Sequence, residues 1–215
     1  MTRRQILQIG ACLALAGRAR AGTRPTPEQA LQLLMQGNDR YVKGRKAADR
    51  GPDRRGQTSE SQYPIAAILG CADSRVAPEV LFDAGIGELF VVRVAGNIVS
   101  QANYGILGSL EYATAVLDTP LIFVLGHSNC GAVAAALKSI QEEQELPGAI
   151  EGIVEAIRPA ARRSPGLEPA IAENVRLGVE RLPQKSVILH QRVAQGKLKL
   201  AGGVYDLASG KVTPV

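Results

Sequence analysis

Three short apolar runs constrain this chain more than any other feature. They cover residues 65–69 (Ile-Ala-Ala-Ile-Leu), 89–92 (Leu-Phe-Val-Val) and 121–125 (Leu-Ile-Phe-Val-Leu). Each has strand length, none alternates polar with apolar residues, and β-branched side chains recur in them. Such runs suit strands covered on both faces, as in a parallel sheet between helical layers. Between and after them, apolar positions return at helical spacing over roughly 103–118, 131–145, 149–161, 167–182 and 186–195. Strand-then-helix alternation predicts one α/β domain, with a central, mainly parallel sheet flanked by helices. Residues 197–200 and 203–206 add a further strand and a turn. No internal repeat is visible, and 215 residues supply one sizeable core.

The amino-terminal side reads differently. Thr26-Pro27-Glu28 opens a helix with an N-cap, a proline at the first helical position and an acid in the first turn. Ala30, Leu31, Leu34, Met35 and Tyr41 follow at helical spacing. Residues 43–61 are polar and read as a solvated connection, with Arg45, Lys46, Arg50, Arg54 and Arg55 as an exposed face without a function of their own. Residues 1–21 combine a positive start, a short apolar run over 6–16 and a small-x-small cleavage site at Ala19-Arg20-Ala21, which predicts a signal peptide. Thr2-Arg3-Arg4-Gln5-Ile6-Leu7 resembles the twin-arginine signal that carries folded proteins across the bacterial inner membrane. An ordinary secretory signal that begins with two arginines is the competing reading. Either one predicts a periplasmic or secreted protein with no stable membrane insertion after processing.

Charge and cysteine content narrow the function. The net charge is +5, but Arg3, Arg4, Arg18 and Arg20 lie in the acid-free leader, and beyond it 21 basic residues face 20 acidic ones. A nucleic-acid partner therefore has little support. Aromatics make up 4% of the chain and tryptophan is absent, which argues against a base-stacking platform. Cleavage after Ala21 removes Cys12 and leaves Cys71 and Cys130, too few for a disulfide scaffold, although an exported chain could pair the two.

Both remaining thiols stand at the ends of predicted strands. The first strand runs into Cys71-Ala-Asp73-Ser-Arg75, where an extended backbone sets Cys71, Asp73 and Arg75 on one face. The third runs into Gly126-His127-Ser-Asn-Cys130-Gly131, where the spacing sets His127 and Cys130 on one side of a helical turn. Sites in open α/β sheets form outside the carboxyl ends of the strands. Two cysteines and a histidine gathered there offer three zinc ligands and leave a position for water. Bound zinc brings the pKa of water to about 7. Arg75 can hold Asp73 in a bidentate pair beside that position; released, Asp73 becomes a conditional fourth ligand.

With these motifs in view, the chain resembles a β-class carbonic anhydrase over about residues 27–207. The resemblance rests on Glu28-Gln-Ala30-Leu31, Gly37-Asn38-x-Arg40-Tyr41, Cys71-Ala-Asp-Ser-Arg75-Val76, residues 88–97 (Glu-Leu-Phe-Val-Val-Arg-Val-Ala-Gly-Asn) and Gly126-His-Ser-x-Cys-Gly131. It implies one Zn²⁺ per subunit on Cys71, His127 and Cys130, Asp73 and Arg75 as the catalytic pair, and reversible hydration of CO₂ to bicarbonate and a proton. It also implies Gln62, Phe90, Tyr112 and Gly131 on the substrate side, with Gln62 contributed across a dimer, and a homodimer or a larger assembly built from dimers. Ile68 stands where a subclass that shuts its site through the aspartate carries tryptophan, so the chain is similar to the open subclass. The expected division is a signal peptide over 1–21, a helical arm and linker over 22–61, and a zinc-binding catalytic α/β domain over 62–215. Competing readings are hydrolysis of a related heterocumulene such as CS₂ or COS, a metal-free thiol enzyme, and a non-catalytic zinc module.

Overall fold

The computed structural model describes residues 24–100 and 104–215; the leader over 1–21 lies outside the described residues. Helix α1 (Pro27–Val42) begins where the cap predicts. The Thr26 side chain accepts from the Gln29 N–H and the Gln29 side chain accepts from the Thr26 N–H, a reciprocal capping box with Pro27 next to it. Ala30 and Leu34 are buried, while Leu31, Met35 and Tyr41 are half-buried against the same core.

Residues 43–61 are less loosely held than their polarity implies. They contain a short helix, α2 (Pro52–Thr58). Two of the five basic residues are occupied: Arg50 donates to the carbonyls of Ala84 (3.2 Å) and Glu79 (2.8 Å), and Arg54 donates to that of Ile86 (2.9 Å). Buried Asp83 anchors the start of the segment, accepting from Arg40 Nε (2.7 Å) and from the N–H groups of Ala47 and Ala48. Arginines next to exposed carbonyls pin the connection, a pairing that composition does not reveal.

The sheet gathers β1 (Ala66–Gly70), β2 (Leu89–Arg93), β3 (Leu121–His127), β4 (Lys199–Tyr205) and β5 (Val212–Pro214) in the order β2-β1-β3-β4-β5. The first four run parallel, and β5 lies antiparallel on β4. Between strands run α3 (Pro78–Leu81), α4 (Tyr104–Ala115), α5 (Gly131–Gln141), α6 (Ile150–Arg162), α7 (Leu167–Lys185) and α8 (Val187–Ala194).

Strand alternation divides the core in two. Ala66, Ile68, Leu121, Phe123 and Leu125 pack toward α1, Leu81 and Phe82. Ala67, Leu69, Ile122 and Val124 pack toward α4, α7 and α8 through Ile106, Leu110, Val175, Leu182 and Leu189. Each of the larger buried side chains contributes about 1.5–3 kcal/mol, and a one-residue slip in β1 or β3 would exchange the two layers. A third cluster, from α5, α6 and α7, closes over the carboxyl end of the sheet.

Two features differ from the sequence reading. Residues 203–205 continue β4 and the turn begins only after them, because Gly202 and Gly203 serve packing. A Cβ on Gly202 would lie 2.5 Å from Val175 Cγ1, so glycine there lets α7 approach the sheet. The three-residue β5 is too short for periodicity to register. It is tied to α1 through Asn38, which donates to the carbonyls of Leu81 and Gly210 and accepts from Val212 N. Among the described residues no helix is long and apolar enough to cross a membrane.

Burial pushes the Asp83 carboxyl upward, but Arg40 and the two backbone N–H groups outweigh it and hold the group below its ordinary range. A carboxylate held low in the fold contributes stability above the unfolded-state range near ~4 and loses that contribution as pH falls through its folded value. Asp83→Asn should therefore lose about 1–3 kcal/mol at neutral pH and flatten the acid limb of stability against pH, read by denaturant titration.

Candidate metal centre

The site forms where β1, β2 and β3 end. β1 pairs with β3 in a register that sets Gly70 beside Leu125, so the residues that follow each strand emerge together. Cys71 leaves β1, His127 is the last residue of β3, and Cys130 caps α5. The strand-to-helix turn between His127 and Cys130 passes through Asn129 at φ 55°. The two ligands thus meet across this turn and not along one helical face, as their spacing predicted. Cys71 Sγ, Cys130 Sγ and a ring nitrogen of His127 lie within 4.8 Å of one another, and all three residues are buried.

Two of the three donors, His127 and Cys71, are each oriented by a neighbour. His127 Nδ1 lies 3.0 Å from the Ser128 carbonyl, which sets that nitrogen as the N–H. Nε2 then carries the lone pair, and it is buried without a hydrogen-bond partner. Cys71 Sγ accepts from the Gly96 N–H at 3.3 Å. Gly96 has φ +70°, and a Cβ there would lie 2.6 Å from Ile157 Cδ1, so glycine is required for this approach. Its carbonyl accepts from buried Asn174 Nδ2 at 2.9 Å.

The two thiols share charge unequally. A hydrogen bond from Cys130 brings Cys71 down to about 4 against the opposing effect of burial, helped by His127 and Gly96 N–H. The same hydrogen bond, together with burial, pushes Cys130 up. Burial works against a charge on His127, yet the adjacent Cys71 sulfur outweighs it and raises the imidazole pKa. Two sulfurs and an unpartnered imidazole nitrogen, converging in an apolar cluster, match the donor set and softness that Zn²⁺ takes.

Asp73 stands at the rim. Arg75 Nε donates to Oδ1 (2.9 Å), Arg75 Nη2 to Oδ2 (2.7 Å) and the Arg75 N–H to Oδ1 (2.9 Å). These bonds hold the carboxyl well below the usual range. Oδ2 lies 3.8 Å from His127 Nε2. The predicted bidentate pair is present, although a turn at Ser74-Arg75, not an extended segment, brings its members together.

A family model described as carbonic anhydrase matches residues 66–212. A carbonic anhydrase of Mycolicibacterium smegmatis is 41% identical over 192 residues, covering 86% of this chain and 92% of that protein. The solved β-carbonic anhydrase CcaA is 30% identical with a TM-score of 0.69, covering 86% of each chain. This chain is a β-class carbonic anhydrase. The Coccomyxa β-carbonic anhydrase, solved with acetazolamide, is 31% identical with a TM-score of 0.63, over 75% of this chain and 76% of that one. Family membership brings the zinc dependence of β-carbonic anhydrases to the Cys71-His127-Cys130 group.

The substrate-side residues divide. Gly131, the first residue of α5, is exposed beside Cys130, and a Cβ there would touch nothing. Phe90 on β2 and Tyr112 on α4 meet with ring centroids 6.3 Å apart, along a groove of about 310 Å³ that Tyr104 and Gly108 also line. Gln62 is exposed in the segment before β1 and makes no hydrogen bond to the ligand group. Sequence reasoning missed the supporting roles of Gly96, Asn174 and Arg93. A glycine-asparagine pair just past the carboxyl end of β2 was the signal available for the first.

Purified processed protein should carry one zinc per chain, and Cys130→Ser should lose most of it. Metal analysis checks the stoichiometry. Chelation should lower the melting temperature of the wild type and leave that of Cys130→Ser nearly unchanged.

Proposed function

We propose that Cys71, His127 and Cys130 hold the zinc of this β-carbonic anhydrase, with Asp73 and Arg75 as its catalytic pair in the reversible hydration of CO₂ to bicarbonate and a proton. The observation that carries the assignment is the three-bond grip of Arg75 on Asp73, with the carboxylate beside, and not within, the group of three donors. When bound, zinc supplies the Lewis acidity that makes water nucleophilic near neutral pH.

The chain's own groups do the rest. Asp73 remains ionised because of Arg75, so it accepts a hydrogen bond from the attacking water and turns a water lone pair toward the substrate carbon. Arg75 keeps the carboxylate from becoming a ligand itself, as in the open subclass. Ile98 and Val133 of the surrounding apolar cluster, with the open space over Gly131, suit a small apolar molecule such as CO₂. This arrangement disfavours a permanently closed zinc module.

On the substrate side, Phe90 and Tyr112 form an apolar wall in an assembly of at least two copies. Gln62 then reaches the site of the neighbouring copy, a reading supported by its exposure and by the exposed groove around Tyr104 and Tyr112. Residues 62–215 carry the catalytic unit. The protein works outside the cytoplasm after twin-arginine export. That route is supported by Arg3-Arg4 and by two thiols that need metal before they meet an oxidising compartment.

Asp73→Ala should retain zinc and lose about 10²–10⁴-fold in CO₂ turnover, measured by stopped-flow hydration beside metal analysis. Unchanged turnover would remove Asp73 from the mechanism. Changing both Arg3 and Arg4 to Lys should leave the protein in the cytoplasm on cell fractionation. Normal export of that variant would point to the general secretory route.

A further inference from the structure

Beyond the metal ligands and the Asp73–Arg75 pair, one side chain grips the loop that carries both. Arg93 is the last residue of β2 and pairs in register with Gly70, the residue before Cys71. Its Nε donates to the Cys71 carbonyl at 3.0 Å, and its Nη2 donates to the Asp73 carbonyl at 2.6 Å. The neighbouring backbone adds two bonds, from Val94 N to the Gly70 carbonyl (3.1 Å) and from Ala72 N to the Val94 carbonyl (3.3 Å). Main-chain pairing therefore fixes the loop as far as Ala72. Beyond Ala72, the Asp73 carbonyl has two donors among the described residues, Arg93 and the Val76 N–H of its own turn.

We propose that Arg93 is a positioning residue whose two-carbonyl clamp on Cys71 and Asp73 keeps the Asp73 carboxylate on Arg75 and off the metal. The proposal rests on the zinc-site reading above. Its physical content is rotational. The Asp73 carboxylate already lies 3.8 Å from His127 Nε2, so a modest turn of the backbone at Asp73 brings an oxygen within reach of the metal. Arg75 resists this from the side-chain end. It is itself exposed and lies two residues along the same turn, so it moves with the loop instead of anchoring it to the sheet. Arg93 supplies that anchor, because its backbone belongs to a strand paired with β1. A charge-assisted donor to a carbonyl is stronger than a neutral one, and two from a single rigid guanidinium fix orientation as well as distance.

The test uses the full chain with Co²⁺ in place of zinc, whose visible spectrum reports a fourth position open to an added anion, here thiocyanate. Wild type should take up one Co²⁺ and shift its spectrum on thiocyanate addition. Arg93→Ala should take up one Co²⁺ yet respond at least about tenfold more weakly, with Arg93→Lys in between. Adding Asp73→Asn to Arg93→Ala should restore the response, since the amide is a poor ligand. An Arg93→Ala protein that responds like wild type overturns the proposal. So does a double variant that stays unresponsive, which would mean loop disorder and not closure by Asp73. Loss of Co²⁺ uptake in Arg93→Ala overturns it too, because the clamp would then serve Cys71 alone. Failure of the wild type to bind Co²⁺ would instead remove the metal-site reading beneath it.

Discussion

Parallel pairing of β1 with β3 is the constraint on which everything else depends. Because both strands run the same way and are buried on both faces, the residues that follow them leave the sheet at one edge, close together. Cys71 and His127 are distant in sequence and adjacent in space for that reason alone, and Cys130 follows one turn later. An antiparallel partner would have sent one of the two segments to the opposite end. The helices that cover the sheet hold the strands dry, so that register is enforced by side chains that have no other place to go.

Around that convergence several polar groups hold the donors and their loops in place. Ser128 takes one nitrogen of His127, Gly96 approaches Cys71 through a backbone that excludes any side chain, and Asn174 holds the Gly96 carbonyl in turn. Asp73 is held at its side chain by Arg75 and at its backbone by Arg93. Two buried nitrogens nearby, Nε2 of His127 and Nδ2 of Asn97, are without a partner among the described residues, and that of His127 faces the two sulfurs. A buried polar atom without a partner is costly, and its persistence fits a group that completes it.

Much of this was legible in the residues. The three apolar runs fall on β1, β2 and β3, and the helical spacings fall on α4 to α8, because burial leaves a plain hydrophobic signature; β2, however, lies at the edge of the sheet and is only half-buried. The Thr26-Pro27 start was legible because capping is local chemistry. Cys71, His127 and Cys130 were legible as a group because few other residues in the chain bind soft metals. What could not be read depends on contacts between distant segments. Arg50 and Arg54 look solvated until the carbonyls of 79–86 are beside them. Gly203 looks like the start of a turn until Phe123 and β5 close on it, as Val175 closes on Gly202. The meeting of Asp73 and Arg75 in a turn, and the grip of Arg93 from a neighbouring strand, depend on backbone direction that side-chain identity does not encode.

The tie between α1 and the closing hairpin has a consequence for how the molecule comes into being. Among the described residues the Asn38 side chain is satisfied by Leu81, Gly210 and Val212, and the Tyr41 hydroxyl lies 3.3 Å from that of Tyr205. The first helix thus finds much of its seat against residues more than 160 positions further along the chain. Such long-range closure carries a chain-entropy cost that must be met before its contacts repay it. A seam of such high contact order slows folding more than it weakens the finished molecule.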